Sequence, residues 1–144
     1  MQHSIILFGR EVSVEISRRA EKALRRRDKP LVAVVHLIFG CMLAKRVWFR
    51  DPLEVADEVV PVTDRLGLAF NVVRYAICSL KLIDGGAEPE NFPLALDKGR
   101  FVPDCVHIDF RKRGFTGEFS YSAAREHVQE ALTDPALETG QGTL

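Results

Sequence analysis

The stretch "CVHIDFR", residues 105–111, carries the side chains best suited to chemistry. Cys105, His107, Asp109 and Arg111 alternate with Val106, Ile108 and Phe110. On a strand this pattern puts the four polar groups on one face and the apolar ones on the other. A thiol beside an imidazole can act as a nucleophile and base pair, and an acid beside the imidazole would fix its tautomer. Neighbours at i and i+2 are roughly 6.5–7 Å apart along a strand, so these groups meet only by leaning toward each other. Cys105, His107 and Asp109 are therefore the candidate catalytic set. The plain alternative is the solvated face of a sheet, which has the same alternation and needs no oxyanion-hole glycines or nucleophile motif.

Spacing assigns no metal site. Zinc ligands come in paired short spacings. Cys105-x-His107 is one such pair, and Cys41 and Cys78 stand alone in apolar runs where burial explains a cysteine. Cys41, Cys78, Cys105 and His107 could still converge in space, which spacing does not reveal, so the sequence names no cofactor.

The candidate binding residues surround this strand and one helix. Lys112 to Phe115 read as a turn, with Gly114 free to take positive φ. If the returning strand is in register, Glu118 joins the face of His107. Arg111, Lys112 and Arg113 then form a basic tip. A second basic group, Arg18, Arg19 and Arg26 with Lys22, Arg25 and Arg27, follows Ser17. Ser17 suits an N-cap, Ile16, Ala20, Ala23 and Leu24 share one helical face, and Pro30 stops the helix. The spacing predicts a helix over 18–28. A second is predicted over 123–132, capped by Ser122, with Ala124, Val128, Ala131 and Leu132 inward.

The remaining elements read mainly as strands. Residues 4–8 and 12–16 form a hairpin about Gly9-Arg10. The apolar run from Leu31 to Phe49 is too long for one strand. Twenty residues would span roughly 65 Å, against roughly 35–40 Å for a globule of this size. It therefore breaks near Gly40 into strands at about 31–39 and 43–50, with Val35, Leu37 and Phe39 in the core. Its part before the basic pair Lys45-Arg46, Leu31 to Ala44, is 14 residues and apolar except for His36, too short for a membrane helix, which needs about 20. His36 reads as a sheet histidine, satisfied or partly exposed. Residues 65–83 fit strands broken near 71–75, and a helix with Gly85-Gly86 as its stop fits them as well. Residues 84–104 form a long loop packed onto the core.

The fold expected is α+β: a mostly antiparallel sheet, curled or packed on itself, with two helices. Residues 1–134 make one domain and 135–144 a tail. Apolar residues are 47% and charged residues 28% of the 144, which suits a globular chain. The net charge is zero, yet residues 1–50 carry eleven basic and four acidic residues, and 51–144 carry nine and sixteen. The basic half suits an acidic protein partner. Nucleic acid is not the expected partner, because no aromatic residues are interleaved with the arginines to stack on bases. No membrane partner is expected, and self-association is compatible with the sequence. Three widely spaced cysteines and an N-terminus without signal-peptide features point to a soluble, cytoplasmic protein with free thiols. The expected function is a small binding or accessory domain without its own catalysis. The alternatives are a thiol- or metal-dependent enzyme on the Cys/His/Asp face, and a nucleic-acid or acidic-partner binder using the basic helix.

Overall fold

The computed structural model describes residues 1–39, 44–75, 91–93, 98–112 and 114–122, with Tyr75 and residues 91–93 described through their backbone only. These residues form two sheets and one helix. The first sheet holds β1 (Gln2–Leu7), β2 (Arg10–Ile16), β8 (Cys105–Arg111) and β9 (Gly114–Ser120), in that order. The second runs β4 (Ala44–Arg50), β3 (Leu31–Phe39), β6 (Leu66–Tyr75) and β5 (Val60–Pro61), and β7 (Asn91–Pro93) also pairs with β6. The helix α1 (Arg18–Arg26) leads from β2 toward β3.

Most pairings are antiparallel, as expected, but each sheet is built about a parallel pair: β2 with β8, and β3 with β6. Parallel strands are usually covered on both faces and read as continuous apolar runs. β3 is buried at all nine of its residues. Its odd positions, including Val35, Leu37 and Phe39, enter a core shared by both sheets. Its even positions Val32, Val34 and Ile38 pack on the opposite face with Trp48, Ala69 and Val73, against Val55 and Val59. The unbroken apolar stretch of the sequence thus reflects a strand enclosed from two sides.

The sheets close on each other. At Gly117 in β9, an added Cβ would fall 2.8 Å from Val47 Cγ1 of β4. The missing side chain is what allows the two strands to approach so closely. Lys45 Nζ donates to the Phe119 carbonyl at 3.3 Å across the same seam. Where one sheet curled or packed on itself was expected, the described residues form two sheets that face each other across a shared core.

Three local expectations change. The β1–β2 turn falls at Phe8-Gly9, one residue earlier than Gly9-Arg10, with φ of 48° and 79°. Two residues of positive φ match the right-handed twist of a two-residue hairpin. Residues 66–75 are a single ten-residue strand, unbroken at 71–75. The helix ends at Arg26, with Arg27 as its C-cap. The helix expected at 123–132, the tail, the break at Gly40, Cys41, Cys78 and Arg113 lie outside the described residues. Among the described residues, no helix is long and apolar enough to cross a membrane.

Candidate functional site

Alternation in β8 buries Val106 and Ile108 and turns Cys105, His107, Asp109 and Arg111 to the outer face of the first sheet. β2 lies parallel beside it, pairing Ser13 with Cys105 and Glu15 with His107. β9 flanks the other side, pairing His107 with Glu118 and Asp109 with Thr116. Glu118 therefore returns to the face of His107, as the hairpin register predicts.

Cys105 and His107 do lean together: Sγ lies 3.4 Å from Nε2. The other ring nitrogen, Nδ1, is 2.9 Å from the Glu15 carboxylate. The imidazole thus sits between a thiol and an acid, and the acid is Glu15. Asp109 points elsewhere. Its Oδ1 accepts from Ser17 Oγ at 2.6 Å and from the Phe110 amide at 2.8 Å. Its Oδ2 is 3.2 Å from Arg19 and 3.3 Å from Arg111. Ser17 Oγ in turn accepts from the Ala20 amide, capping α1. Asp109 therefore anchors the positive N-terminal end of the helix to the sheet.

These contacts set the protonation states. Asp109 is held down to about 2, foremost by the Ser17 hydrogen bond, then by the Phe110 amide, Arg111 and Arg19. Cys105 moves the other way. Burial raises its thiol above the ordinary value, and the nearby charges of Glu15 and Asp104 add to this. A thiol so placed is protonated at neutral pH and a poor nucleophile.

An open cleft of about 700 Å³ lies over this face, lined among others by Glu15, Ser17, His107, Asp109, Arg111 and Glu118. Cys105 is not among the residues that line it. Glu118 is exposed, Arg111 lines the cleft, and the side chains of Arg111 and of Arg19, which also meets Asp109, are mostly exposed.

The chain matches no family model, no curated protein and no solved structure.

The basic residues do not gather at this site. Arg18 and Arg26 are exposed on α1, and Lys112 is exposed at the hairpin tip. Only Arg19 and Arg111, among the basic candidates described, meet at the site, through Asp109. Glu15 was not singled out from the sequence. Its signal is the polar face Glu11, Ser13, Glu15 of "EVSVEIS", but nothing local reveals that β2 pairs with a strand about ninety residues later.

His36 is a separate case. It is buried, and Trp48 Nε1 donates to its Nδ1 at 3.1 Å. Burial lowers its pKa to about 4, with Asp57 opposing and Arg50 assisting the shift. Beside it in register, Asn71 donates to Asp57 at 2.9 Å. This is a satisfied polar cluster inside apolar packing, which fixes strand register rather than presenting chemistry to solvent.

Proposed function

We propose that the chain is a small binding or accessory domain, without catalysis of its own, that receives a polar ligand on the outer face of its four-stranded sheet. The observation that carries this reading is the open cleft of about 700 Å³ over β2, β8 and β9, lined by charged side chains held on paired strands. A sheet fixes such groups more firmly than a loop would. Glu118 offers a carboxylate to a cationic group, and Arg111 offers donors to an anionic one. A ligand carrying both an amine and a carboxylate fits that pair. Thermal unfolding with a panel of amino acids, diamines and guanidinium compounds tests it. A binder raises the midpoint with concentration, because it stabilises only the folded state. The rise should vanish in Glu118→Gln or Arg111→Ala. If no panel member shifts the wild-type midpoint, this ligand class is wrong.

The order Cys105–His107–Glu15 favours a second reading, a thiol enzyme. The raised thiol pKa weighs against it. Alkylation by iodoacetamide, followed on the Cys105 peptide by mass spectrometry, separates the two. The binding reading expects slow labelling at neutral pH that rises only in alkali. Glu15→Gln should speed it, since removing the negative charge favours thiolate. Rapid labelling of the wild type at pH 7 would favour the enzyme.

A further inference from the structure

Glu15, Cys105 and His107 offer one oxygen, one sulfur and one nitrogen, all within 4.8 Å of one another. Among the described residues they are the one such group. We propose that these three side chains bind a zinc-class divalent cation at the edge of the cleft. The ligand types decide the class. Thiolate and imidazole select zinc and its first-row neighbours over calcium or magnesium, which take oxygen.

The spacing fits. Zinc binds sulfur at about 2.3 Å and nitrogen at about 2.0–2.1 Å, so the sulfur–nitrogen edge of a tetrahedral site is about 3.5 Å. The observed edge between Cys105 and His107 is 3.4 Å. The nitrogen of that edge is Nε2, whereas Glu15 meets Nδ1 at 2.9 Å. One cation takes one imidazole nitrogen, so the half-exposed Glu15 side chain must swing from Nδ1 toward Nε2 to complete the site, where the nitrogen–oxygen edge would be roughly 3.4 Å. The three donor atoms already lie within 4.8 Å of one another. The charge also balances: with the thiol proton released to solvent, the thiolate and carboxylate neutralise a divalent ion, and the imidazole stays neutral.

The strands hold the ligands in place. Glu15 and His107 are register partners, and Cys105 is two residues away on the same face. Three protein ligands leave a fourth position for water or a ligand, and two of them, Glu15 and His107, also line the cleft. Sites of that pattern exchange their fourth ligand, whereas structural zinc sites close with four protein ligands. This inference does not rest on the ligand reading above, because the cation is detected with no organic ligand present.

The test is a titration of the reduced full chain with cobalt(II), followed by displacement with zinc(II). Expected is one saturable equivalent, with a thiolate-to-cobalt charge-transfer band and the intense visible bands of a tetrahedral ion, both erased by zinc. Cys105→Ser should lose the charge-transfer band. His107→Gln and Glu15→Gln should each weaken binding at least tenfold. Far-UV circular dichroism of each variant establishes that it is folded, and the half-exposed positions tolerate these changes. The proposal is overturned if the wild type shows no saturable equivalent. It is equally overturned if the band survives in folded Cys105→Ser, which would place the metal on another cysteine.

Discussion

Asp109 shows how position reassigns a residue's role. In the sequence it stands two residues from His107 and reads as the acid of a catalytic set. In the fold it faces Ser17, Arg19 and Arg111, and Glu15 from another strand takes the imidazole. Its consequence is for stability. The carboxyl titrates at about 2 in the folded chain, against 3.8 for an unperturbed aspartate. A depressed carboxylate adds stability that is complete above the unfolded value and is lost as pH falls through the folded one. Asp109→Asn should therefore lower the unfolding midpoint at pH 7, and its gap to the wild type should close between about pH 4 and about pH 2. A gap that persists at pH 2 would mean that the asparagine disturbs packing rather than charge. His36 works in the same direction by another route. Its neutral form is favoured in the fold, so acidification from 6.5 toward about 4 should weaken the chain, by an amount on the order of 3 kcal/mol. Removing the imidazole in His36→Phe should flatten that part of the pH profile.

At the scale of elements, β3 and the seam between β9 and β4 carry the strongest expectations. Leu37 is fully buried, and truncation leaves lost transfer energy plus a cavity. Leu37→Ala should cost about 2–5 kcal/mol in urea unfolding. Leu53, 99% exposed, is the internal control, and Leu53→Ala should stay within about 0.5 kcal/mol. Gly117→Ala should cost about 1–3 kcal/mol by forcing β9 from Val47, and adding Val47→Ala should recover part of it. A neutral Gly117→Ala would show that the sheets do not meet there as described. Much of this level was legible beforehand. The polar and apolar alternation of residues 105–111, the cap at Ser17 and the length limit on residues 31–49 each follow from local physics. The parallel pairs were not legible. Parallel partners lie far apart in the chain, and no turn chemistry announces them, so Glu15 could not be placed beside His107.

The whole molecule carries opposite charge in its two sequence halves. The fold mixes them in part: Arg27 meets Asp51 at 3.5 Å, and Arg19 meets Asp109 at 3.2 Å. On α1, Arg18, Lys22 and Arg26 recur every fourth residue along an exposed face. If this stripe only solvates the helix, replacing the three with Gln should leave the salt dependence of binding to heparin or RNA unchanged. A steep wild-type salt slope that the variant loses would make the helix a polyanion site. The proposed function makes the outer face of the four-stranded sheet the working surface. Amide chemical-shift mapping with the same panel of amino acids, diamines and guanidinium compounds tests it most directly. A binding member should shift the amides of residues 15–17, 107–111 and 116–118, and Glu118→Gln should abolish those shifts. Shifts confined to α1 or to the second sheet, or no shift with any member, would contradict it.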